Sequence, residues 1–219
     1  MSNIKRRYIM TRLQWRKNID EASSEIRGGT RLLLMVFHSK DDESSCKVLA
    51  ETLENERVVS VVEREFAPVK IDVEENKEMA ERYHVDWTPA FIITDENGRE
   101  LERFVGYLPP EEFIEQMLLS KGLAAFHINR YAEAIGEFEE LVEEFPDSDL
   151  VPEAEYYLGA ASYKHTGSTD VFGDACEMLT RTHPESIWTK KCSVWAHQSK
   201  YSKPFVGYDQ GGSGGSGAY

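Results

Sequence analysis

The chain holds only three cysteines, Cys46, Cys176 and Cys192, and no two of them stand at Cys-x-x-Cys spacing. An odd count at wide spacing argues against a disulfide framework and fits a reducing, cytoplasmic setting. The six histidines are scattered, with no Cys or His at ligand spacing, so neither a metal nor a cofactor is expected. No segment approaches the roughly 18 apolar residues of a membrane span, and the N-terminal stretch lacks the apolar core of a signal peptide. Positive charge is in short supply: 25 Lys and Arg against 39 Asp and Glu give a formal net charge of −14. A nucleic acid would be repelled by most of such a surface, which argues against it as a partner.

What is present is the material of a globular protein, 219 residues with 41% hydrophobic and 29% charged, enough for two modest domains. The charge is uneven. Lys5, Arg6, Arg7, Arg12, Arg16 and Lys17 precede the first acid, whereas Glu74-Glu75, Glu139-Glu140 and Glu143-Glu144 read as solvated helix faces against which the basic arm packs. The chain is organised around the apolar run 31–37, which reads as a strand buried on both faces. The polar cluster 38–45 then caps a helix near whose start sits Cys46, where helix N–H groups and the helix dipole favour a thiolate.

Residues 15–27 carry helix-like spacing at Ile19, Ala22 and Ile26, ended by Gly28-Gly29. The helix of Cys46 is expected to continue through Leu49 and Leu53 to Val61-Val62. A strand at 67–73, a helix at 76–83, a strand at 90–94, a hairpin turn at Asn97-Gly98 and a strand at 100–105 follow. This order yields an α/β sheet with parallel and antiparallel parts.

The segments 71–76, Tyr83-His84-Val85-Asp86-Trp87-Thr88-Pro89, 95–98 and 105–113 resemble the thioredoxin-like superfamily over about residues 15–120. The resemblance implies that the Thr88–Pro89 bond is cis and that its loop faces the active-site address. There, the backbone before the proline either pairs with a bound peptide or serves only as a fixture of the fold.

The departures from that family's pattern are concentrated at the redox apparatus. Glu43 stands where the first cysteine would, Asp42 where an aromatic residue commonly precedes it, and Ser44-Ser45 in place of Gly-Pro. Val36 occupies the place of the buried acid. A lone thiol cannot perform the intramolecular closure by which a dithiol releases its substrate, and the carboxylates of Asp41, Asp42 and Glu43 oppose a thiolate nearby. Cys46 is left two roles. It forms a mixed disulfide or sulfenic acid, with His38 as a candidate base, or it packs half-buried as a small hydrophobe.

From Pro110 to about Ile128 the apolar stripe is continuous and helical, with no linker, so one helix is expected to end the first domain and begin the second. The remainder resembles tetratricopeptide repeats, with Gly122 at the helix-crossing glycine and Ala134, Phe138 and Pro146 at the small, aromatic and terminating positions. Leu118, Lys121 and Ala125 replace the usual Trp, Leu and Tyr. A second copy begins at Pro152 with Leu158-Gly159 and ends at Pro184, and a helix from about Glu185 to Gln198 caps the stack. Such repeats form concave surfaces that bind peptides or helices. Cys176 and Cys192 are expected to pack in this second core. The tail from Tyr201 ends in Gly/Ser-rich sequence with the composition of a flexible linker, native or appended.

The expected architecture is therefore a basic arm (1–14), a thioredoxin-like mixed sheet flanked by helices (15–120), an all-α tetratricopeptide-like helical hairpin stack with its cap (121–199) and a tail (200–219). The loss of the first cysteine leans toward a protein-interaction adaptor, assembly factor or accessory subunit rather than an enzyme. Its protein partners would be held at Glu43, Trp87, Thr88 and Pro89, or on the repeats. The alternatives are a thiol-disulfide exchange protein in which Cys46 is the catalytic residue, and a holdase-like chaperone.

Overall fold

The computed structural model describes residues 12–195. Most of the expected basic arm, the end of the expected cap helix and the Gly/Ser tail lie outside the described residues. A four-stranded sheet of order β2-β1-β3-β4 is built from β1 (Leu32–His38), β2 (Phe66–Asp72), β3 (Ala90–Thr94) and β4 (Glu100–Val105). β1 runs parallel to β2 and antiparallel to β3, and β3 runs antiparallel to β4. Every residue of β1 is buried, as its unbroken apolar sequence requires for a central strand covered on both faces. The β3–β4 turn is closed by Asp95, whose Oδ1 accepts from Asn97 N and Arg99 N while Gly98 takes φ +76°.

Alternation along β1 divides two cores. Leu33, Met35 and Phe37 pack with Ala22 and Ile26 of α1 (Ile19–Ile26), and with Tyr83, which follows α4 (Lys77–Arg82). Leu32, Leu34 and Val36 point the other way, into a larger core under α3 (Glu56–Glu65) and α5 (Pro110–His127). Of the expected arm, Leu13 is buried in this core; two residues beyond the arm's expected end, Arg16 N donates to Pro68 O while its guanidinium pairs with Glu25 and Glu63.

The helix expected to run from Cys46 to Val62 is two helices. α2 spans Glu43–Lys47, a π-helical turn covers Val48–Thr52, and Asn55 caps α3 by accepting from Arg57 N and Val58 N. Propensity continues through the break, but Asn55 offers the local acceptor that restarts the helix.

α5 is a single 18-residue helix, and the boundary expected at 120/121 falls inside it. It is followed by α6 (Tyr131–Glu144), α7 (Val151–Thr166), α8 (Thr169–Thr182) and α9 (Ile187–Cys192). The hairpins meet at glycines. A Cβ on Gly122 would collide with the Phe138 ring, and one on Gly159 would lie 2.6 Å from Ala175 Cβ. One apolar core runs from Leu32 and Phe91 through Phe113 and Met117 to Phe138 and Ala154, so sheet and hairpins share an interior.

Cys176 and Cys192 pack in the core of the helical region as expected, but the expectation against a disulfide is corrected. Cys176 on α8 and Cys192 at the end of α9 are both fully buried, and a disulfide joins them across Cα atoms 5.6 Å apart. The packing of α9 against α8 creates this proximity, which linear spacing does not express. The pair withdraws the cysteine-count basis for a reducing compartment, since disulfides persist in oxidising ones.

Candidate functional site

The site lies where β1 hands over to α2. Asp42 caps α2, its Oδ2 accepting from Ser45 N at 2.8 Å and, across the site, from Thr88 Oγ1 at 3.3 Å. These bonds favour the charged form, so the Asp42 carboxyl titrates below its ordinary value, with the Ser45 hydrogen bond as the main cause. The Thr88–Pro89 peptide is cis, and Pro89 O accepts from Gly106 N at 2.8 Å, which ties the loop to the end of β4.

The loop before α2 is pinned from the other side. Ser39 Oγ donates to Glu74 Oε1 at 2.6 Å, and Lys40 Nζ pairs with Asp72 at 2.9 Å and Glu75 at 2.5 Å. Asp72 also accepts from the N–H groups of Glu74 and Glu75. Its carboxyl is held far below the ordinary range, first by Lys40.

Glu43 is the exposed first residue of α2. Cys46 is a free thiol and is exposed, its Sγ donating to Lys40 O at 3.4 Å. It is therefore not the half-buried packing residue that one sequence reading allows. The side chain turned inward is Ser45, fully buried, whose Oγ accepts from Ser39 N. The π turn is the reason. Uniform helical periodicity aligns Cys46 with Leu49 and Leu53, whereas the extra residue in the turn, where Leu53 N donates to Val48 O, sets buried Leu53 in line with Val48 and Ser45 instead.

Val36 is fully buried and apolar at the position expected to lack its acid. His38, the candidate base, closes β1 and is buried, and that burial pushes its pKa below the ordinary value. Its Nδ1 has no partner, and among the described residues no hydrogen bond joins it to Cys46. The second thiol chemistry needs is absent too, because Cys176 and Cys192 are paired with each other.

Trp87 is 72% exposed beside Thr88. Together with Asp41, Asp42, Glu74 and Asp86 they line a shallow groove of about 440 Å³. Of the residues expected to hold a partner, Trp87 and Thr88 thus share this groove, and Thr88 is bonded to the cap residue one position before Glu43. Sequence reasoning missed Glu74 and Asp86 as groove walls. Glu74 enters through its bond to Ser39, a contact 35 residues apart in the chain.

The sheet order, the Thr88–Pro89 loop and the α2 address define a thioredoxin-like domain with a C-terminal helical region. Residues 19–120 match the family model of a thioredoxin-like domain. The chain is similar to a thioredoxin from Thermus thermophilus, at 24% identity over 49% of this chain and 85% of that one, with a TM-score of 0.43. It is also similar to a DsbH oxidoreductase, at 16% identity over 55% of this chain and 94% of that one, with a TM-score of 0.46. The C-terminal domain of DsbD from Neisseria meningitidis in its oxidised form gives 20% identity, 43% and 84% coverage and a TM-score of 0.38. No curated protein matches the chain.

Proposed function

We propose that this chain is a protein-interaction adaptor, built on a redox-degenerate thioredoxin-like domain rigidly joined to tetratricopeptide-like hairpins. The observation that carries this reading is the isolation of Cys46. No other cysteine lies within reach, the remaining two being paired with each other far along the chain, and on the family resemblance Glu43 would stand at the first-cysteine position and Val36 at that of the buried acid. Without a second thiol in reach, a mixed disulfide at Cys46 has no internal route to release.

The groove suits a partner segment of particular chemistry. Its acidic wall of Asp41, Asp42, Glu74 and Asp86 favours basic residues, and the exposed Trp87 offers an aromatic face on which a cation or an apolar side chain can lie. The Gly122 and Gly159 crossings give the helical hairpins the close packing such repeats need, and make them the second candidate surface.

One observation favours the alternative of single-thiol exchange with a partner or glutathione: the exposure of Cys46. The two readings part in one experiment. The wild-type chain and a Cys46→Ser variant are isolated from native cells with thiols blocked at lysis, and what co-purifies is examined without reductant. A partner retained equally by both supports the adaptor; a partner attached reducibly to the wild type alone overturns it.

A further inference from the structure

A second concavity, of about 620 Å³, lies on the opposite side of the sheet from α3 and α5, between α1, β2, α4 and the β3–β4 turn. It shares no lining residue with the groove at Asp42 and Trp87. Its floor is apolar, formed by Val69, Ile71 and Tyr83, with Ile19 and Met79 beside them. Its rim carries Lys17, Arg27, Lys70 and Arg82.

Four cations around one cavity are notable in a chain whose net charge is −14. Asp20 and Glu96 also line it, yet among the described residues none of the four cations forms an ion pair with a carboxylate. Lys70 lies instead over the Trp15 ring at 5.6 Å and Arg82 over the Tyr83 ring at 5.5 Å. The adjoining cavity, of about 270 Å³, is the internal comparison. Its three arginines are all neutralised, Arg31 by Glu25, Arg99 by Asp95 and Arg130 by Glu133. An acidic protein thus pairs its cations next door and leaves them unpaired here.

The geometry points to this cavity as a binding site for a small amphipathic anion, a phosphate or carboxylate carried on an apolar or aromatic body. The volume falls within the roughly 300–1,000 Å³ of small-molecule sites, and the lining is more polar than theirs usually is, with Ser23, Ser24, Asn76 and Asn97 beside the charged rim, which suits a ligand whose head is an anion. The rim cations supply charge-assisted hydrogen bonds to the head group, and the floor takes the body.

The test titrates the full chain, followed by amide NMR shifts and calorimetry, with phenyl phosphate and phenylacetate. Inorganic phosphate presents the head alone and benzyl alcohol the body alone. At least one amphipathic anion should saturate, with the largest shifts at Ser23, Met79 and Asn97, and should bind more tightly than either part. The ratio of the two amphipathic probes identifies the head group. An Arg27→Gln/Lys70→Gln double variant should weaken binding about tenfold or more at an unchanged melting temperature, whereas a charge-matched Lys164→Gln/Lys190→Gln variant should bind as the wild type does. Absence of saturation by both anions, shifts centred elsewhere, or equal weakening by the two double variants would overturn the assignment.

Discussion

Lys121 on α5 donates through Nζ to the carbonyl oxygen of Thr30 at 2.8 Å, so a residue of the helical region closes a bond to the segment that feeds the central strand. The same ammonium lies 3.5 Å from Glu65 at the end of α3 and over the Phe66 ring, and its side chain is almost wholly buried. Removing it takes one of two cations from the seam at Glu65 and Glu137 and leaves them Arg64 alone. Lys121→Met should cost about 3 kcal/mol, the usual penalty for breaking one side of a buried pair. Thermal unfolding measures it, and a loss below about 1 kcal/mol would show that the seam does not depend on the charge.

The titrations of Glu25 and Glu137 should make stability greatest near pH 4.5 and lower on either side, for opposite reasons. Glu25, hydrogen-bonded first by Arg16 and also by Arg31, titrates at about 2 against an ordinary 4.5. Its contribution is present above the ordinary value and is lost as the pH falls toward 2. Glu137 is pushed up to about 8 by burial and by Glu65 and Glu140, against the opposing pull of Lys121 and Arg64. The folded chain holds that proton while the unfolded chain has released it, so stability declines as pH rises from about 4.5 to about 8. Glu137→Gln should flatten the decline above pH 4.5 and leave the limb below it alone; denaturant midpoints across pH read both limbs.

Two glycines should respond with opposite signs to the same change. At Gly122 a methyl group would strike the Phe138 ring in the shared core, and overpacking of this kind costs about 1–3 kcal/mol. At Gly136 nothing lies within 4 Å of the added atom, so Gly136→Ala should gain up to about 1 kcal/mol of helix propensity on α6. Chemical denaturation of the pair tests the crossing directly: similar values would mean that the Gly122 contact relaxes.

A maleimide added to the native chain without reductant should label one site, Cys46, because it alone is free and exposed. Cys176 and Cys192 should join it only after reduction and unfolding, being paired and buried. Mass spectrometry of the labelled peptides counts them, and early labelling at Cys192 would contradict the pairing.

Much of the sheet was legible because its signals are local. The run at 31–37 could only be a strand covered on both faces, and Asn97-Gly98 could only turn. The unbroken stripe after Pro110 foretold the single helix α5, and the resemblance that put Gly122 at a helix crossing named the residue that Phe138 meets. What escaped depends on phase and on distant partners. A helical wheel assumes a constant 3.6 residues per turn, so the π turn at 48–52 put Ser45 rather than Cys46 against the core. Lys121 read as a mere replacement of a signature leucine, since its partners Thr30 and Glu65 are far off in the chain. The union of Cys176 with Cys192 needed the packing of α9 on α8 before it could be seen.

The 18 residues of α5 belong to two architectures at once. Phe113 at its start stacks edge-on against Phe91 and Phe104 of the sheet, and Gly122 near its end receives Phe138. A gene fragment that stopped at residue 120 would encode a sheet whose covering helix is severed in mid-turn. One that began there would encode hairpins stripped of their first wall. Recombination could carry this chain elsewhere only whole, and protein engineers who wish to graft either half must carry α5 with it.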